Sequence, residues 1–112
     1  MEEGIPRKPF KVSKEYDIHL TEIYDYTVDT FGEIQAERYL QKINKAVLSL
    51  PNFYTAYPPC RHIPTKSRMY RNIILDAHLI IYRITTERIE VLDIIHGAMS
   101  VSKIRNVRKI RL

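Results

Sequence analysis

Apolar and aromatic side chains recur every three to four residues between positions 16 and 50, the spacing of one face of an α-helix. Two such series are present: Tyr16, Leu20, Ile23, Tyr24, Thr27 and Phe31, then Ala36, Tyr39, Leu40, Ile43, Val47 and Leu50. Ser13 is the expected N-cap of the first helix, and Gly32 its expected end, because glycine takes the left-handed conformation without strain. We expect Pro51, which lacks an N–H, to end the second helix. The pattern predicts an antiparallel helical hairpin.

After position 69 the residue types become β-branched and aromatic, which is typical of strands. We expect strands at Tyr70–Leu75, His78–Thr85 and Arg88–His96, and a short strand at 10–13 that leads into the first helix. Four prolines between 51 and 69 predict a long loop. The fold class is therefore α+β, in the order β-α-α-β-β-β. The helical hairpin is expected on one face of a small antiparallel sheet, with a short C-terminal helix beyond it.

Two-residue turns between these strands would place Arg83 opposite Glu90 and beside Tyr70, and Ile81 opposite Leu92. One face then carries a polar set: Tyr70, Asn72, Arg83, Glu90 and His96. We expect the helices on the other, more apolar face, with Ile73, Ile80, Tyr82, Ile84, Ile89, Val91 and Ile95. The polar face is expected to remain open to a partner. Arg83 and Glu90 also fit a simple cross-strand ion pair, and a slip of one residue would exchange the two faces.

The length of 112 residues suits one domain, with a core at about 10–102 and a basic tail at 103–112. Charge is distributed unevenly along this domain. The net charge is +5. Residues 13–50 hold seven acids and four bases, a sum of −3, whereas residues 51–72 hold four bases and no acid, and residues 97–112 five bases and no acid. Such basic segments fit an RNA, DNA or acidic protein partner, or a solvated surface.

Several classes of protein and site are disfavoured by composition. No apolar run approaches the roughly 18 residues of a membrane span, and the first ten residues lack the apolar core of a secretory signal, so we expect a cytoplasmic protein without a membrane partner. Cys60 is the single cysteine, as expected of a reduced compartment. The four histidines have no metal-ligand spacing, so neither a metal nor a cofactor is expected.

Five segments, in this order and spacing, are identified as those of a known superfamily: 22–26 (EIYDY), 31–32 (FG), 35–40 (QAERYL), 79–84 (LIIYRI) and 89–97 (IEVLDIIHG). They resemble the RelE/ParE toxins of type II toxin–antitoxin modules across about residues 10–102. The resemblance implies a bacterial or archaeal cytoplasmic protein, neutralised by a cognate antitoxin that wraps it with a segment that folds on binding. Operator DNA would then be contacted only through the antitoxin.

The superfamily contains two mechanisms, and the sequence is more similar to the ParE branch. That branch poisons DNA gyrase and is not thought to cleave anything itself, whereas the RelE branch cuts mRNA on the ribosome. The similarity to ParE lies at the junction from Phe31 to Leu40 and at the segment His96-Gly97-Ala98-Met99-Ser100. Ala98 and Ser100 stand where that branch commonly has arginine and aspartate, which puts any arginine-dependent role there in doubt.

The alternative, ribosome-dependent RNA cleavage, needs a base, an acid and a cation for the phosphorane. The candidates are Arg83 as phosphate clamp, His96 as acid or base, and Arg61 from the loop. Candidate partner-binding residues are Tyr70, Asn72, Arg68, Lys103, Arg105 and Arg108. A second alternative is an inactive member of the superfamily, or a nucleic-acid-binding module that uses the basic tail. We expect this tail rather to pack against the sheet or against the antitoxin.

Overall fold

The computed structural model describes residues 4–112, and its elements follow the predicted order. The helices and strands are β1 (Phe10–Val12), α1 (Lys14–Phe31), α2 (Glu33–Phe53), β2 (Tyr70–Leu75), β3 (His78–Ile84), β4 (Ile89–His96) and α3 (Val101–Asn106), followed by a 3₁₀ turn at Val107–Lys109. The α+β fold class and the short C-terminal helix are confirmed. None of the helices within residues 4–112 is long and apolar enough to cross a membrane.

The four strands form one sheet in the order β1-β4-β3-β2. β2, β3 and β4 are antiparallel, and Arg83 pairs with both Tyr70 and Glu90, as the sequence predicts. β1, however, runs parallel to β4, so the sheet is mixed rather than wholly antiparallel. β1 and β4 are about 80 residues apart in the chain, beyond the reach of local pattern.

The two helices begin and end largely as expected. The Ser13 hydroxyl accepts the Tyr16 N–H at 2.9 Å and caps α1, and Gly32 separates the helices with a φ of +90°. The prediction that Pro51 ends α2 is wrong, because the helix continues to Phe53. Proline has a helical φ and deletes a single backbone hydrogen bond, which the last turn of a long helix tolerates.

The hairpin packs on one face of the sheet, which we call the helical face. Buried side chains of α1 and α2 meet those of the strands there: Tyr16, Ile43, Val47, Leu50, Ile73, Ile80, Tyr82, Ile89, Val91 and Ile94. The choice of this face is confirmed, although Phe31 from the first predicted series is exposed and Ile95 lies on the opposite face.

A β-bulge in β4 changes the predicted register beyond Val91. Tyr82 pairs with Val91, but Ile81 pairs with Asp93, so the prediction that Leu92 lies opposite Ile81 is wrong. The bulge is fixed by α1, since the Ser13 hydroxyl donates to the Leu92 carbonyl and the Asp93 carboxylate contacts His19 Nδ1 at 2.5 Å. Ile95 and His96, which follow the bulge, each lie on the face opposite the predicted one.

The second face of the sheet, which we call the C-terminal face, is also covered. Ile104 and Val107, from α3 and the 3₁₀ turn, pack with strand residues Ile81, Leu92 and Ile95. The long loop adds two more buried side chains, Cys60 and Ile63. The expectation of an open polar face is therefore wrong, because the apolar positions of the C-terminal segment bury themselves against this face.

Candidate functional site

Arg83, the predicted phosphate clamp, lies beneath the C-terminal segment in a network of hydrogen bonds. Its side chain contacts Glu90 Oε1 through Nε at 2.8 Å and through Nη2 at 2.6 Å. Its Nη1 donates to the Arg108 carbonyl at 3.3 Å, and its Nη2 to the Ile110 carbonyl at 3.3 Å. The guanidinium thus ties the end of the chain to the sheet.

The charges of this network are held in their ionised states. Burial alone would raise the pKa of Glu90, but hydrogen bonds from Arg83 and Arg88 outweigh burial and lower the pKa. Burial alone would lower the pKa of Arg83, but hydrogen bonds to Tyr70 and Glu90 outweigh it and raise the pKa. With Arg83 and Glu90 only 7% and 8% exposed, the pair is a structural element of the fold.

Tyr70 and Asn72, two of the predicted partner-binding residues, stand on the same covered face. The Tyr70 hydroxyl lies 3.4 Å from Arg83 Nη1, and its ring centroid is 5.7 Å from the guanidinium carbon. Asn72 is buried in β2, where its backbone N–H donates to the Pro58 carbonyl at 3.1 Å. Neither side chain belongs to an open surface, because the C-terminal segment and the long loop lie over this part of the sheet.

His96 does not share a face with Arg83, and this part of the prediction is wrong. The bulge turns His96 toward the helical side, where it pairs across the sheet with His78. Both histidines line a cleft of about 790 Å³ between the helical hairpin and one end of the sheet. The predicted catalytic trio of Arg83, His96 and Arg61 is therefore divided between two sides of the molecule.

The floor of this cleft is a chain of aromatic and imidazole groups. Tyr39 Oη lies 2.6 Å from His78 Nδ1 and 3.2 Å from the Leu75 carbonyl, and the rings of His78 and His96 meet edge to face with centroids 5.7 Å apart. Burial and the neighbouring His96 lower the pKa of His78, against an opposing effect of Asp76. His96 Nδ1 accepts the Ala98 N–H at 3.0 Å, which leaves Nε2 as the protonated nitrogen of its neutral ring.

The rim of the cleft combines exposed aromatic rings with charges. Tyr26 and Phe31 are each 65% exposed, and Arg38 and Glu22 stand among the other lining residues. Sequence analysis assigned Phe31 to the core because its spacing continues the apolar series of α1. The available signal was its position beside Gly32, as the last residue of α1.

The basic residues of the predicted partner-binding set behave differently from Tyr70 and Asn72. Arg68, with a φ of +56°, and Arg61 are exposed in the long loop, and Lys103, Arg105 and Arg108 are exposed along the C-terminal segment. Within residues 4–112, none of these five side chains forms an ion pair. These cations are therefore free to meet a partner.

Comparison with known proteins identifies the family. The model of a family described as the ParE toxin of the type II toxin–antitoxin system parDE matches residues 10–101. The chain belongs to the ParE toxin family. Toxin ParE1 of Mycobacterium tuberculosis, in strains CDC 1551 / Oshkosh and ATCC 25618 / H37Rv, is 33% identical over 87 residues, which span 76% of this chain and 85% of that toxin.

A solved structure supports the same fold for this ParE-family toxin. The structure described as the chromosomal ParDE toxin–antitoxin system from P. aeruginosa superposes with a TM-score of 0.66, at 21% identity, over 80% of this chain and 96% of that chain. The resemblance inferred from segments 22–26 to 89–97 is confirmed. The protein is thus the toxin of a type II toxin–antitoxin system, of the ParE rather than the RelE kind.

Proposed function

We propose that this toxin arrests growth by poisoning DNA gyrase and that a cognate antitoxin neutralises it. The observation that carries the proposal is membership of the ParE family across residues 10–101, since gyrase poisoning is the activity implied by the resemblance to that branch.

The arrangement of charged groups supports this activity over RNA cleavage. A nuclease of the alternative kind would need a cation that contacts the scissile phosphate and an acid or base beside it. Arg83 is neutralised by Glu90 and lies under the C-terminal segment, and His96 is on the other side of the sheet. Arg61 is exposed and forms no ion pair among the described residues, but one loop cation by itself supplies no proton transfer.

The cleft supports the part of the proposal that concerns the antitoxin. A soluble domain rarely leaves large aromatic side chains grouped at an open cleft unless a partner covers them. Tyr26 and Phe31 meet this description, and the rim charges Glu22 and Arg38 offer polar contacts at the edge. We assign the cleft to an amphipathic segment of the antitoxin, which would lay its apolar side against Tyr26 and Phe31.

Pulse-labelling after tightly controlled induction tests the target. Incorporation of labelled thymidine and of labelled methionine is followed separately from the moment of induction. We expect DNA synthesis to fall first, because a poisoned gyrase blocks replication forks before protein synthesis is affected. An earlier fall in methionine incorporation would overturn the proposal in favour of RNA cleavage, and unchanged growth with confirmed expression would indicate an inactive member.

Substitutions at His96 and Arg61 separate the two mechanisms without disturbing the core. Both side chains are exposed or at a cleft surface, so His96→Ala and Arg61→Ala should keep the fold intact. We expect each variant to retain its effect on DNA synthesis. Loss of toxicity in both variants, with wild-type circular dichroism, would favour a nuclease. Phe31→Ser, measured for binding to the antitoxin encoded beside the toxin, tests the assignment of the cleft.

A further inference from the structure

The C-terminal segment alternates buried apolar and exposed basic side chains. Ile104 and Val107 are buried, and Ile110 and Leu112 partly buried, against the C-terminal face of the sheet. The exposed residues between them are four cations and Asn106, and the nearby loop repeats the pattern, with one exposed cation between buried Cys60 and Ile63. We call the six exposed cations of this side the basic layer: Arg61, Lys103, Arg105, Arg108, Lys109 and Arg111.

The backbone that carries the basic layer is packed on the sheet, and the charge of the layer is not compensated. The apolar side chains beneath it are packed on the sheet, and the Arg83 guanidinium binds the Arg108 and Ile110 carbonyls. No acidic residue occurs in segments 51–72 and 97–112. Across residues 4–112, the ion pairs involve other residues, and Glu90, the partner of Arg83 beneath this segment, is already bound by Arg83 and Arg88. The opposite side of the molecule is acidic, since residues 13–50 sum to −3.

We propose that the basic layer binds the phosphate backbone of duplex DNA directly and without reading its sequence. Lysine and arginine side chains supply the phosphate contacts that dominate non-specific binding to a double helix. Single-stranded nucleic acid is instead bound by a charged groove combined with exposed aromatic rings on which bases stack. Tyr70, the aromatic residue on this side that was predicted to bind a partner, is partly buried against Arg83 and offers no such platform.

The choice of DNA rather than another duplex rests on the proposed function, because gyrase acts on duplex DNA. The binding itself requires no gyrase, so the two proposals fail separately. The contact is also distinct from operator recognition, which the family resemblance assigns to the antitoxin. A toxin that holds the duplex through its own basic layer would be concentrated where its target works.

Fluorescence anisotropy with a 25-base-pair duplex of unrelated sequence tests the proposal. The toxin is made by cell-free synthesis to avoid its effect on a host. We expect a dissociation constant of about 10⁻⁴ to 10⁻⁶ M near physiological salt, with a log–log salt slope of about −4 if four phosphates are neutralised. The triple variant K103E/R105E/R108E should weaken binding at least about 30-fold at 50 mM salt and remove about three from the slope.

The matched control changes the net charge equally on the other side of the molecule. Lys14, Arg38 and Lys45 are exposed on the two helices, and the variant K14E/R38E/K45E should weaken binding less than about threefold. A milder variant, K103Q/R105Q/R108Q, keeps the test valid if three charge reversals disturb the C-terminal segment. Circular dichroism and thermal melting of all variants verify the fold.

Four results would overturn the proposal. They are no duplex binding by the wild type at 50 mM salt, equal weakening by the two triple variants, tighter binding of a single-stranded or double-stranded RNA of the same length, and tighter binding of polyglutamate. The third would assign the basic layer to RNA and the fourth to an acidic protein partner. Duplex binding without any effect on gyrase would support this inference and reject the proposed function. An effect on gyrase without duplex binding would reject this inference and support the proposed function.

Discussion

Both faces of the sheet are covered, but by elements of very different size. The helical face carries 18-residue and 21-residue helices, and its buried side chains include large groups such as Tyr82 and Leu50. The C-terminal face is covered by a six-residue helix, a 3₁₀ turn and part of a loop. Burial of apolar area scales with the size of the cover, so the helical face should supply most of the stability. The short elements on the C-terminal face instead expose the cations to solvent.

The largest effect on stability is expected when a buried leucine of the helical face is truncated, and the comparison is a buried isoleucine of the C-terminal face. Leu50→Ala on the helical face should reduce the free energy of unfolding by about 4 kcal/mol, because a deep core collapses poorly around a cavity. Ile104→Ala should cost about 2 kcal/mol, since the short C-terminal helix can settle into the space. Urea denaturation followed by circular dichroism measures both. Equal losses in the free energy of unfolding would contradict the claim that the helical face supplies most of the stability.

Arg83→Met tests whether the attachment of the C-terminal segment to the sheet depends on one buried guanidinium. The substitution leaves the Arg108 and Ile110 carbonyls without their donor and Glu90 with Arg88 alone. We expect a loss of about 2–3 kcal/mol and faster tryptic cleavage after Arg108. Arg88→Met, at the more exposed cation of the same network, is the control and should cost less than about 1 kcal/mol. Similar losses in the free energy of unfolding for the two variants would show that the burial of Arg83 does not increase its contribution to stability.

The acid dependence of stability should be greater on the C-terminal face because of Glu90. Its folded-state pKa lies below the ordinary value of 4.5, so its stabilisation is present above about pH 4.5 and is lost as pH falls through the folded-state pKa. Glu90→Gln removes this part of the dependence. Urea unfolding between pH 7 and pH 3 should therefore show a difference between wild type and variant that shrinks with falling pH. A constant difference would indicate a contact that does not depend on charge.

The smallest effect is expected at the cleft on the helical side. Burial and His96 lower the pKa of His78, so His96→Ala should raise that pKa, as followed by the imidazole signals in NMR titration. The free energy of unfolding should change by less than about 0.5 kcal/mol, because His96 is exposed. An unchanged titration of His78 would mean that the two rings are not coupled in solution.

The sequence predicts the strands and the central register well because the relevant signals are local. β2 is predicted with its observed bounds, since its β-branched residues precede a short turn at Asp76-Ala77. The pairs of Arg83 with Glu90 and Tyr70 follow from the lengths of the turns. The helical hairpin follows in the same way from the spacing of apolar residues and from Gly32.

The bulge at Leu92 could not be predicted, and it decides the location of His96. Residues 91 to 95 include four apolar side chains, so alternation does not reveal which of them is the extra one. The contacts that fix it, from Ser13 and His19, reach across about 75 residues or more. The burial of Arg83 beneath the C-terminal segment could not be predicted for a related reason, because the apolar positions of that segment do not reveal which face of the sheet they occupy.

The most direct test of the proposed target uses purified gyrase, supercoiled plasmid and the toxin in the presence of ATP. We expect linear DNA to accumulate with increasing toxin after denaturation of the enzyme, because a poison stabilises the cleaved intermediate. Reactions without toxin serve as the negative control. Plasmid that remains intact at a toxin concentration that arrests growth would contradict the assignment of gyrase as the target.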